Sequence, residues 1–256
     1  MRPPPYLRGA RLVPERVDDP ERFPFDLPMA RHLDLELGSP VTFFVGENGS
    51  GKSTLIEALA ELCGLPPSGG GKNELTDRTG PDDHSPLARA LRPSFARRPP
   101  DGYFFRAEHM AHFADLLDER RDDPDFAGDP YARYGGRSLH TRSHGEAFLH
   151  LFTDRLEQGL FLMDEPESAL SPQRQLALLV RMADLVADGE TQLLVATHSP
   201  ILLTFPGAEI LSLDDGPPTP VRLEETSHYQ ITRGILESPE RFWKHLRGAR
   251  APGRAR

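Results

Sequence analysis

The sequence predicts an α/β domain whose central sheet is mostly parallel and covered by helices on both faces. An antiparallel β part precedes that sheet, and a short helical part is inserted in it. Three observations carry this expectation. Val41–Val45, Leu160–Met163 and Leu193–Ala196 are continuous apolar runs, the mark of strands buried on both faces. Helical patterns lie between them: Leu55, Ile56, Leu59 and Leu62 recur along Ser53–Leu62, and Pro172–Ala187 opens with proline in its first turn. Leu33, Leu35 and Leu37 alternate with Asp34 and Glu36, which suits a strand with one wet face. Strands that alternate with helices give parallel βαβ units.

The 256 residues suffice for one such domain, spanning 1–256, with a sizeable buried core. No stretch reaches the ~20 apolar residues of a membrane span. Met1-Arg2-Pro3-Pro4-Pro5 lacks the apolar segment of a secretory signal. Cys63 is the single cysteine, which excludes an internal disulfide and a cysteine-rich metal site, and a cytoplasmic location is expected. A formal charge of −9 argues against nucleic acid as the dominant ligand. Arg247, Arg250, Arg254 and Arg256 form a basic patch among Gly, Ala and Pro, so 247–256 reads as a disordered basic tail.

Residues 1–40 form the antiparallel part, and 64–142 hold a loop-rich insertion with the helical subdomain. Within it, Pro66–Pro100 is rich in Pro, Gly, Asp and Arg and reads as loop. Order is expected again at Tyr103-Phe104-Phe105, a strand, and at Met110–Arg121, a helix. After the loop Asp122–Arg142 comes an amphipathic helix with Phe148, Leu151, Phe152 and Leu156 on one face. Ile210–Leu213 reads as a further strand.

Gly46-Glu47-Asn48-Gly49-Ser50-Gly51-Lys52-Ser53 matches G-x-x-x-x-G-K-[ST], followed by Thr54. Its glycines let the backbone curl until successive N–H groups face phosphate oxygens, and the following helix adds the positive end of its dipole. Lys52 is placed to reach the β- and γ-phosphates, and the Ser53 hydroxyl to ligate Mg²⁺. A buried strand before the motif and a helix after it supply the context it requires. Leu160-Phe161-Leu162-Met163-Asp164-Glu165 is an apolar strand ending in two carboxylates. Asp164 suits a Mg²⁺ ligand, and Glu165 suits a general base for the attacking water.

The string Asp164-Glu165-Pro166-Glu167-Ser168-Ala169-Leu170-Ser171-Pro172 resembles the Walker B motif and following loop of the ABC ATPases. Leu193-Leu194-Val195-Ala196-Thr197-His198-Ser199-Pro200 resembles their switch-histidine strand. Thr-His-Ser-Pro is more similar to the SMC, recombination-repair and OLD branch, including stand-alone bacterial ATPases labelled AAA-family, than to transporter ATPases. The resemblance covers about Val41 to Leu203. It implies an ABC ATPase-like P-loop NTPase that binds and hydrolyses ATP with Mg²⁺, and His198 as a sensor of the γ-phosphate. From the residues alone, Ser199-Pro200 also fits the start of a helix, with His198 just ahead of it.

Ser143-His144-Gly145-Glu146 resembles the ABC signature, whose serine and backbone N–H groups meet the ATP of a second subunit. It departs from the family in Arg142 and His144, and Ser143 and Glu146 also make a capping box. The resemblance thereby implies an ATP-dependent homodimer, with Ser143, Gly145 and Glu146 reaching across it. The family's Q-loop glutamine has no counterpart, and Glu108 is the candidate in its place. Phe23 and Phe25 are candidates for stacking on adenine. His109, His112 and Asp115 share a helical stretch without further ligands and read as a solvated face. DNA or a nuclease is a possible partner. A membrane partner is not expected, although a transporter subunit and a binding-only switch remain the alternative functions.

Overall fold

The computed structural model describes residues 4–67, 69–71, 84–106, 118, 120–122, 128–129, 131, 152 and 158–248. Its strands are β1 (Leu7–Leu12), β2 (Asp34–Glu36), β3 (Val41–Val45), β4 (Gly70–Gly71), β5 (Leu91–Phe95), β6 (Gly102–Arg106), β7 (Gly159–Asp164), β8 (Thr191–Ala196), β9 (Glu209–Ser212) and β10 (Thr219–Pro220). Its α-helices are α1 (Lys52–Leu62), α2 (Pro86–Ala90), α3 (Pro172–Val186), α4 (Ser227–Glu237) and α5 (Pro239–Gly248).

The main sheet has the order β10-β9-β3-β8-β7-β6-β4. Its five inner strands run parallel, and the short β10 and β4 close the two edges antiparallel. The apolar runs become the inner strands because both faces of each are covered. Alternation sorts their side chains into two cores. Phe44, Phe104, Leu160, Leu162, Leu194 and Ala196 meet Leu55, Ile56 and Leu59 of α1 and the N-terminal layer. Phe43, Phe105, Phe161, Met163, Leu193 and Val195 meet Leu178, Met182 and Leu185 of α3. Ser171 caps α3, its hydroxyl accepting from the Arg174 N–H, with Pro172 at the first position as the sequence requires.

The antiparallel layer is a three-stranded sheet of order β2-β1-β5. Its third strand comes from the stretch read as loop, because Leu91–Phe95 pairs along β1 from Leu12 to Leu7. Pro93 disguises it, yet β5 is an edge strand with β1 on one side only, where a missing N–H is tolerated. Buried Gln192 joins the two sheets: its amide accepts from the Leu7 N–H at 2.9 Å and donates to the Leu7 carbonyl at 2.8 Å. At the C-terminus, α5 extends to Gly248, so Arg247 belongs to a helix and not to the expected tail. Residues 249–256 lie outside the described residues, as do most of Met110–Arg121 and of the helix expected around Phe148–Leu156. Among the described residues, no helix is long and apolar enough to cross a membrane.

Candidate functional site

The site forms where β3, β7 and β8 end side by side. The loop from Gly46 to Gly51 leaves β3 and turns into α1. Gly46 and Gly51 have φ of 152° and 97°. A Cβ would lie 2.6 Å from Ser50 Oγ at the first and 2.8 Å from Met29 Cγ at the second. Both positions therefore need glycine for conformation and for space. Gly51 caps α1 with no side-chain hydrogen bond. The first-turn N–H groups of Lys52, Ser53 and Thr54 consequently remain available to an anion.

Lys52 is only 5% exposed. Its ammonium donates to the carbonyls of Gly46 at 2.7 Å and Glu47 at 3.1 Å, so the loop wraps around it. Burial lowers its pKa, while Glu165, Asp164, Asp214 and Glu167 pull the other way. Glu47, Asn48 and Gly49 form the exposed crest of the loop. Asp214, just beyond β9, accepts from the Glu47 N–H at 2.7 Å and braces that crest.

Ser53 Oγ donates to Asp164 Oδ1 at 3.2 Å, joining the loop motif to the acidic strand end across 111 residues of sequence. Asp164 is 8% exposed. Burial raises its pKa from 3.8 to about 6, against the lowering effect of the Ser53 hydrogen bond and Arg106. The folded state therefore holds this proton more tightly than the unfolded chain. Ionising Asp164 costs stability progressively as pH rises from the unfolded value through the folded one, roughly 2–3 kcal/mol in full. Asp164→Asn is thus expected to raise the Tm of the nucleotide-free protein by roughly 5–10 °C at about pH 7.5, with little gain at about pH 4. Thermal melts at the two pH values check this, and an equal gain at both would assign the effect to packing.

Glu165 follows with φ 48° and ψ 53°, its N–H donating to the Ala196 carbonyl at 2.9 Å. Its carboxylate is 44% exposed, and Oε1 lies 3.4 Å from His198 Nε2. That approach is within ion-pair reach but out of line for a hydrogen bond, and Nε2 is buried without a hydrogen-bond partner. The His198 N–H donates to Glu167 Oε1 at 2.5 Å. Burial lowers the His198 pKa, and the neighbouring Lys52 charge adds to this. Ser199 donates to Gln175 Oε1 at 2.5 Å and accepts from the N–H groups of Ile201 and Leu202. Ser199 thereby braces the turn that leads into a short 3₁₀ helix at Leu202–Thr204, and His198 lies beside Glu165.

Five expected residues are brought together: Lys52, Ser53, Asp164, Glu165 and His198. Ser143, Gly145, Glu146 and Glu108 lie outside the described residues, as do His109, His112 and Asp115. Thr54 lines a surface hollow of about 200 Å³ with Phe23, Pro24, Glu57, Pro67, His84, Ser85 and Pro86. Phe23 is 62% exposed there, whereas Phe25 packs into the core. Sequence reading missed Asp214 and His228. Each acts through a contact with a distant part of the chain, and no local pattern marks either.

A P-loop is bonded through its serine to a Walker-type aspartate, with Glu next to that aspartate and His just beyond the end of the neighbouring strand β8. This is a P-loop NTPase fold with an ABC ATPase-like arrangement of its site. One family model, described as "AAA domain", matches residues 24–86. A second, described as "AAA domain, putative AbiEii toxin, Type IV TA system", matches residues 146–204. Together they take in the P-loop, the Asp164-Glu165 pair and His198. Solved structures similar to this chain include an SMC head bound to the C-winged helix domain of ScpA. That match has 16% identity and TM-score 0.45, covering 85% of this chain and 98% of the other. An ATP-binding cassette of an ABC transporter in its ADP conformation has 15% identity and TM-score 0.49, covering 94% and 98%. CbiO1 from Clostridium perfringens, part of the ABC transporter complex cbiONQ, has 13% identity and TM-score 0.46, covering 93% and 98%. No curated protein matches the chain.

The geometry of the site fits a phosphate group and a divalent cation. Ser50 Oγ and His198 Nε2 are buried polar atoms without a hydrogen-bond partner. Such atoms are costly to leave unpaired, and phosphate oxygens meet the need of both. Asp164, desolvated and raised toward neutrality, is the carboxylate a divalent cation would hold ionised.

Proposed function

We propose that the chain hydrolyses ATP as a switch in which two copies enclose two ATP molecules. The observation that carries this is the convergence of Lys52, Ser53, Asp164, Glu165 and His198 around two buried polar atoms that await acceptor or donor groups. Backbone N–H groups of the loop and α1 hold the triphosphate, and Lys52 offsets its β- and γ-charge. Ser53 and Asp164 would hold Mg²⁺, which supplies charge neutralisation at the phosphates when bound. Glu165, exposed on the open side of the site, accepts the proton of the attacking water. His198 presents Nε2 to the γ-phosphate. Catalysis is then chiefly positioning and charge stabilisation. Phe23, exposed beside Thr54, is the aromatic best placed to stack on adenine, and Phe25 is not available for it.

Closure of the site belongs to the second copy, whose Ser143, Gly145 and Glu146 would meet the γ-phosphate. DNA maintenance or phage defence, with DNA or a nuclease as partner, is the process the Thr-His-Ser-Pro segment suggests. Light scattering on a sizing column tests the switch. Glu165→Gln is expected to shift from the mass of a monomer to that of a dimer only when Mg-ATP is present. Ser143→Arg introduced into that background is expected to abolish the shift while ATP still binds. A mass indifferent to bound ATP would sink the dimer reading.

A further inference from the structure

His198 has two ring nitrogens, and they face different partners. Nε2 lies on the Glu165 side, buried and without a hydrogen bond. Nδ1 lies 2.8 Å from Nε2 of His228, with the two rings edge to face at 4.9 Å between centroids. His228 is the second residue of α4, whose start is fixed by Thr226: its hydroxyl accepts from the Tyr229 N–H and donates to the Leu223 carbonyl. Next to it, Ser227 Oγ lies 3.5 Å from Glu47 Oε1 of the phosphate loop. The start of α4 is thus seated against both halves of the site, although the motifs end far upstream.

A nitrogen-to-nitrogen hydrogen bond between two imidazoles has one donor and one acceptor. If His198 donated through Nδ1, its Nε2 would be a bare acceptor facing a carboxylate and, with ATP bound, a phosphate. Both contacts would then be repulsive. If His228 donates, His198 Nδ1 accepts and Nε2 must carry the proton, so a donor faces both anions. Burial lowers the pKa of each ring, so neither escapes the choice by taking a second proton near neutral pH.

We propose that His228 is a positioning residue that fixes His198 in the tautomer protonated at Nε2. It thereby makes the start of α4 a working part of the ATP site. This rests on His198 meeting the γ-phosphate, and the hydrogen bond on one ring nitrogen setting the state of the other is the general lever. The α4–α5 pair then has a route into the chemistry. A displacement of α4 by a partner would release His198 without touching the phosphate loop or the Asp164-Glu165 pair.

Nitrogen-15 NMR of histidine-labelled full-length protein reads the tautomer directly, without turnover. The wild type is expected to show His198 bare at Nδ1 and protonated at Nε2. His228→Phe is expected to weaken this preference, with only the Glu165 carboxylate left to favour it, and His228→Gln, whose amide donates, to restore it. In ATP hydrolysis, His228→Phe is expected to lower kcat by about 10-fold with KM little changed, with recovery in His228→Gln. Recovery in the glutamine variant separates positioning from loss of fold. His198 in the opposite tautomer in the wild type, or unchanged in His228→Phe, would overturn the proposal. Failure of the underlying reading shows differently: His198→Ala would then turn over ATP at the wild-type rate, whatever the tautomer.

Discussion

Glu165→Gln is expected to retain ATP binding and to slow turnover by roughly 10²–10⁴-fold, the scale of a general base. The amide keeps the size and the backbone turn but cannot take a proton from water. The Glu165 side chain is partly exposed and lies 3.4 Å from the His198 ring, so few folding contacts depend on its charge. Melting temperature should therefore change little. Single-turnover hydrolysis beside nucleotide titration measures the two quantities separately. Wild-type turnover would remove Glu165 from its role, and lost binding would make it a ligand of the nucleotide and not a base.

Lys52→Ala is expected to weaken ATP binding by about 10- to 100-fold, the worth of hydrogen bonds to a charged group. Here a second effect is expected as well. The Lys52 ammonium holds the carbonyls of Gly46 and Glu47. Its removal leaves the loop without its central strut, so the nucleotide-free protein should also melt at lower temperature. Calorimetric titration with ATP and a melt without it check both. Unchanged affinity would count against the phosphate-binding role of the loop.

How far the sequence speaks differs from element to element for physical reasons. Strands β3, β7 and β8 were legible to within about two residues because burial on both faces leaves unbroken apolar runs. The phosphate loop was legible because its glycines are demanded locally. Strand β5 was not, since an edge strand tolerates the proline and polar residues that signal a loop. Helices α4 and α5 expose Ile231, Leu236, Trp243 and Leu246, so their apolar residues mark no core to read from pattern. Within the site, Lys52, Ser53, Asp164, Glu165 and His198 announced themselves through motifs. Asp214 and His228 did not. An aspartate after a strand and a histidine near a helix start have no meaning until the fold brings them to Glu47 and His198.

The backbone at Glu165 has a consequence for how the chain can change. At φ 48° and ψ 53° it stands in the left-handed region, where a residue with a Cβ sits at a cost of about 1–2 kcal/mol. Glycine or asparagine would fit that turn more comfortably and would stabilise the fold. Each would also remove the carboxylate. On the roles proposed for these two acids, a search for variants by thermal stability alone would drift toward an inert protein at this position, as it would at Asp164. On that reading, stability and chemistry are set against one another at two adjacent residues, and retaining both acids there requires selection for what the site does.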